Sequence, residues 1–133
     1  MAVISITRLR VRSLRYLPGF LLYALRSARQ AKKAPGNLGV GLLRDRNNTY
    51  WTRTAWRDEQ SMFTFMKTDP HRTAMPKLLD WCNEAALVHW TQETDNLPDW
   101  SEAHRRICAE GRRSKVRHPS FAHEQFQIAT PKF

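Results

Sequence analysis

The order in which hydrophobic periodicity switches along the chain constrains the fold more than any single residue does. Ala2–Val11 (AVISITRLRV) is rich in β-branched residues. Val3, Ser5, Thr7 and Leu9 alternate with Ile4, Ile6, Arg8 and Arg10, which predicts a strand with two distinct faces. From residue 14 to 34 the period lengthens: Leu17, Phe20, Leu21, Ala24, Leu25, Ala28 and Ala31 recur at helical spacing, opposite Arg26, Arg29, Gln30 and Lys33. Pro18 is compatible with a first helical turn, and Pro35 with Gly36 stops the helix.

Asn37–Asp45 and Thr49–Trp56 flank Arg46, Asn47 and Asn48, whose asparagines accept the positive backbone angles of a tight hairpin. Gly39 and Gly41 leave one face of the first of these strands nearly bare, so another group approaches closely there. Asp58 is placed to cap a helix ending near Lys67, with Met62, Phe65 and Met66 as its apolar stripe. After Thr68, Asp69 and Pro70 a second helical piece runs over His71–Trp81 with Met75, Leu78, Leu79 and Cys82 at core spacing. Residues 84–93 (EAALVHWTQE) form a fourth strand, apolar on both faces, with His89 and Trp90 on opposite sides.

The resulting order, β-α-β-β-α-β, is the split βαβ arrangement of ferredoxin-like α+β folds, a four-stranded antiparallel sheet with helices on one face. The opposite face needs a cover, and a second copy of the sheet supplies one, giving a homodimer of the dimeric α+β barrel type. At 133 residues the chain fits one domain, with its core in residues 1–93 and an extension over 94–133. In that extension Asp99 and Glu102 resemble a capping box before Trp100, Ala103 and Ile107, and Gly111 ends the helix. Residues 112–119 read as a basic loop, and residues 125–128 as a short edge strand or an arm wrapped on the partner.

Lys and Arg number 22 against 12 Asp and Glu. Such a surface attracts anions, but the cations fall into separate groups at 8–15, 26–33 and 112–117, which argues against a nucleic-acid stripe. Two cysteines, Cys82 and Cys108, make neither a disulfide framework nor a cysteine zinc site. With no signal-peptide pattern and no apolar run of membrane-spanning length, a cytoplasmic setting is expected. Peripheral membrane contact through residues 14–25 and nearby arginines is the alternative use of that charge.

The segments LPGFLLYALRSARQAKKAPG, TYWTRTAWRDEQSMFTFM and HRTAMPKLLDWCNEAALVHW resemble a group of small bacterial proteins related to the spheroidene monooxygenase and antibiotic biosynthesis monooxygenase families. The likeness covers about residues 1 to 93. It implies a dimeric α+β barrel and an oxidoreductase-like activity, in a superfamily that includes cofactor-free oxygenases and haem-binding enzymes. The spheroidene monooxygenase resemblance implies His71 as an axial haem ligand. The Asn-Trp-His pattern of the haem-degrading members has no counterpart, because the first strand carries no matching Asn.

Three residues are the candidate catalytic groups. His71, one helical turn from Met75, and His89, on an apolar strand, are potential bases whose alternative is a satisfied structural imidazole. Arg53, in the middle of a strand, either stabilises a substrate anion or pairs with a neighbouring acid. Trp51, Trp56, Trp90 and Met75 are candidate pocket walls for an apolar or aromatic small molecule, with indole N–H groups orienting an oxygen atom. The cofactor expectation is therefore none or haem. No Gly-rich phosphate loop, HExxH motif or serine nucleophile elbow is present.

Overall fold

A computed structural model describes residues 1–69 and 71–132; Pro70, part of the expected break between two helices, lies outside them. The elements are β1 (Ala2–Val11), a single 3-10 turn at Leu14–Tyr16, α1 (Leu17–Lys33), β2 (Asn37–Asp45), β3 (Thr49–Trp56), α2 (Glu59–Met66), α3 (His71–Trp81), β4 (Cys82–Gln92), α4 (Trp100–Glu110), β5 (Arg112–Arg113) and α5 (Phe121–Glu124). The sheet is antiparallel throughout, in the order β2-β3-β1-β4-β5. The fold is α+β and ferredoxin-like, with one strand more than the four expected: Arg112 and Arg113, read as loop, pair with Leu87 and Ala86 on β4.

Local chemistry explains the boundaries. Asn47 and Asn48 take φ of 58° and 56° at the β2–β3 turn, the left-handed region that asparagine tolerates. The Asp58 carboxylate accepts from the Ser61 amide at the start of α2, and Asp99 accepts from the Glu102 amide at the start of α4.

Strand alternation splits the sheet into two unlike faces. On one, Ile4, Ile6, Trp51, Ala55, Val88 and Trp90 pack against Trp100, Ala103 and Ile107 of α4, with Phe126 and Ile128 closing the edge. Ile4, Ile6, Trp51, Ala103 and Ile107 are all fully buried. This corrects the expectation that an identical subunit must hide this face: the chain's own residues 100–107 and 126–128 cover it. Residues 125–128 form no strand; they contribute side chains to that cover.

The bareness of β2 over Gly39 and Gly41 is also accounted for. A β-carbon on Gly41 would meet Arg53 Nε at 2.5 Å, and one on Gly39 would meet Leu97 at 3.3 Å. The close neighbours are thus an arginine and a leucine of the chain itself.

The other face carries α1, α2 and α3, and its packing is interrupted. One core cluster joins Val3, Ala31, Trp56 and Met62; a second joins Val11, Phe20 and Cys82. Between them the sheet presents Ser5, Thr7, Thr52 and Thr54, too short to reach the helices.

Candidate active site

The gap between those two clusters is a cavity of about 480 Å³. Its floor is a two-by-two block of hydroxyl residues, because the register sets Ser5 opposite Thr54 and Thr7 opposite Thr52. Leu87 and His89 of β4 continue the floor beside Thr7 and Ser5. Phe20, Ala24, Met62, Phe65, Met75 and Leu78 supply apolar walls. An apolar cavity with a few grouped polar atoms is the usual form of a small-molecule site.

His71 and Met75 line this cavity, as does His89. His71 opens α3, and its placement is determined by three contacts. Its amide donates to Gln30 Oε1 at 3.0 Å, its ring lies 4.7 Å from that of Phe65, and its Nδ1 sits 3.2 Å from the Met66 carbonyl oxygen. A carbonyl only accepts, so Nδ1 carries the proton and Nε2 of the neutral ring is left as an acceptor. Burial pushes the His71 pKa below its ordinary 6.5, partly opposed by the bond to Met66. The group is consequently a neutral imidazole with an open lone pair near pH 7. His89 is lowered too, first by burial and then by the charge of Arg112, against an opposing pull from Glu59.

Gln30 is a site residue that sequence reasoning missed. Its Nε2 donates to the Phe65 and Thr68 carbonyls at 3.3 and 3.0 Å, while its Oε1 takes the His71 amide. One side chain of α1 thereby ties the end of α2 to the start of α3. Its position on the polar side of α1 gave no hint of this. The hydroxyl floor did leave a trace: Ser5, Thr7, Thr52 and Thr54 are short polar residues on strands that otherwise bury large side chains.

The remaining candidates lie elsewhere. Arg53 is on the α4 face, where Nη1 donates to the Pro98 carbonyl at 2.7 Å and the guanidinium stacks 4.4 Å from the Trp100 ring centroid. It joins no substrate group with His71, and its partner is a carbonyl and an indole in place of an acid. Trp51 borders the cavity through its strand, but its indole is in the α4-side cluster and donates to Asp45 at 3.1 Å. Trp90 is on that same face, donating to Gln92 at 3.1 Å beneath Arg106. Trp56 does wall the cavity, yet its N–H goes to Thr54 at 2.9 Å. All three indole donors are already satisfied, so none is free to orient a substrate oxygen.

Haem needs an axial nitrogen and, for its two propionates, cations. His71 offers the nitrogen, but Arg44 is the one Lys or Arg in the lining. The donor set fits a flat, weakly polar molecule better than it fits haem. Among the described residues no group of three His, Cys, Asp or Glu is placed to hold a metal ion.

Residues 21–77 match the family described as antibiotic biosynthesis monooxygenase, a stretch running from α1 into α3. No curated protein sequence matches the chain. Among solved structures, a conserved protein of Methanosarcina mazei Go1 is 14% identical with a TM-score of 0.62, covering 70% of this chain and 94% of its own. SnoaB, a cofactor-independent oxygenase from Streptomyces nogalater, is 22% identical with a TM-score of 0.56, over 74% of this chain and 98% of its own. A protein of Mycobacterium tuberculosis is 8% identical with a TM-score of 0.64, over 71% and 97%. Sequence and fold thus both resemble the antibiotic biosynthesis monooxygenase group, and at these identities the structural likeness speaks to the fold alone.

Proposed function

We propose, taking the antibiotic biosynthesis monooxygenase likeness as premise, that the protein is a monooxygenase-like oxidoreductase that oxidises a flat, apolar or aromatic molecule without a cofactor. The observation that carries this reading is the neutral His71 imidazole, its Nε2 unprotonated, on an apolar cavity with a hydroxyl floor.

The chemistry needs a substrate whose methylene is acidified by an adjacent carbonyl or aryl ring. His71 Nε2 takes one methylene proton, and the carbanion spreads its charge onto the conjugated oxygen. Hydroxyls of Ser5, Thr7 and Thr52 are placed to donate to that oxygen, the role first expected of Arg53. The carbanion passes one electron to dioxygen and combines with the superoxide so formed, making a C–O bond. The imidazolium returns its proton to give a hydroperoxide, which loses water to leave a ketone. Overall CH2 plus O2 becomes C=O plus H2O: one oxygen atom enters the substrate and the other leaves as water.

An oxygen electrode with a panel of polycyclic aryl ketones bearing an acidic methylene tests the proposal. One O2 consumed per ketone formed is expected, with His71→Ala lowering the rate by roughly 10²-fold or more. Binding without oxygen uptake would instead make the protein a carrier of such molecules. A Soret band appearing with saturable stoichiometry on haem titration would reverse the cofactor assignment.

A further inference from the structure

We infer that the outer face of α1 docks on an anionic lipid surface, seating the cavity mouth against the bilayer. The N-terminal half of this helix and the turn before it leave Leu14, Leu22 and Leu25 69%, 49% and 59% exposed, with Leu21 beside them. Residues 18, 22, 25 and 29 fall along one helical stripe. Farther along that exposed side come Arg26, Arg29, Lys32 and Lys33, all exposed. No Asp or Glu precedes Asp45, while nine Lys and Arg do. Apolar projections next to uncompensated cations are the pattern of helices that lie in the headgroup boundary of anionic membranes.

Charge selects this occupant over a second copy of the chain. A two-fold contact through α1 would bring together two helices that each carry Arg26, Arg29, Lys32 and Lys33, with no carboxylate on either α1 to relieve the repulsion. No helix among the described residues is long and apolar enough to cross a membrane, so α1 lies on the surface. The cavity adds a reason for the location. Every exposed member of its lining, Leu21, Leu25, Leu42 and Arg44, sits on α1 or on the neighbouring edge strand β2. A lipophilic molecule leaving the bilayer there meets the cavity without crossing water. The docking itself does not rest on the oxygenation reading.

Co-sedimentation with vesicles of phosphatidylcholine alone, and with about a third phosphatidylserine, tests it. Binding is expected to the anionic vesicles only, weakening as salt is raised. Leu14→Ser/Leu22→Ser, at exposed positions that do not line the cavity, is expected to lower partitioning by about tenfold or more. Arg26→Glu/Arg29→Glu should do at least as much, whereas Arg112→Glu/Arg113→Glu should leave α1 docking in place. Circular dichroism on each variant separates lost binding from lost fold. Failure to sediment with anionic vesicles at low salt overturns the inference. So does binding that survives both α1 variants, or that depends on the arginines but not on the leucines. Capture of polyglutamate with no vesicle binding would reassign the face to an acidic protein. Oxygen uptake on soluble probes, measured separately, fails or succeeds independently of all these outcomes.

Discussion

The two faces of the sheet are made from the same strands and do opposite things. Toward α4, large residues meet large residues: Ile4, Ile6, Trp51 and Val88 against Trp100 and Ile107, with little left exposed. Toward α1–α3, the central residues of β1 and β3 are short and hydroxylated, and a cavity of about 480 Å³ remains. Burial of apolar area, at roughly 25 cal/mol per Å², comes mainly from the first face. The second gives up some of that stabilisation for space, which is how a small domain keeps a site open without losing its fold.

Substitutions that treat the faces alike should therefore give unlike results. The largest effect is expected for Trp100→Ala, which empties the α4-side core and removes the ring under Arg53; chemical denaturation should show a loss of about 3–5 kcal/mol. Glu84→Gln comes next. Its carboxylate receives Arg8 at 2.8 Å and Arg10 at 3.0 Å and is nearly inaccessible, so neutralising it leaves Arg8 buried without a counter-ion, at a cost of about 3 kcal/mol.

The same carboxylate predicts a pH dependence. Burial raises the Glu84 pKa, but the hydrogen bonds from Arg8 and Arg10 outweigh it and hold the group below 4.5. A carboxylate with a lowered folded pKa contributes stability that is complete above 4.5 and is lost as pH falls through the folded value. Denaturation midpoints from pH 6 down to 3 should decline in the wild type and decline less in Glu84→Gln. His71 works the other end of the comparison. Its lowered pKa places the acid limb of any oxygenation rate below pH 6.5, and the limb should disappear with His71→Ala, whose stability changes by less than about 1 kcal/mol.

The smallest and sharpest contrast is in volume. Ala103→Leu, on the filled face, should cost about 1–3 kcal/mol through overpacking. Thr7→Leu, on the hollow face, should stay within about 1 kcal/mol of wild type while reducing binding of an apolar dye. Equal penalties at the two sites would erase the distinction between the faces.

The parts of this architecture that were legible in the sequence are those governed by neighbours in the chain. Period-two alternation gave β1 and β4, Asn47 and Asn48 gave the hairpin, and Asp99 with Glu102 gave the start of α4. What was not legible depends on contacts remote in sequence. Residues 125–128 read as an edge strand or an arm on a partner, and nothing in them announces that Phe126 and Ile128 pack on the face of the sheet, so that face was assigned to a twin. Alternation did separate His89 from Trp90, and carried across to β3 it separates Thr52 and Thr54 from Trp51 and Arg53. Grouping His89 with Arg53, Trp51 and Trp90 in one pocket overrode that parity. Gln30 was invisible because its role depends on where α2 ends and α3 begins, which no periodicity in α1 encodes.

A crystal structure under xenon pressure bears most directly on the hollow face, since dry apolar space takes up xenon and packed interior does not. Density is predicted between Thr7, Thr52, Met75 and Leu87, with none beside Ile4, Ile6 or Ile107. Helices α1 and α3 collapsed onto the strands, with Met75 and Leu21 filling the space and no xenon there, would contradict it.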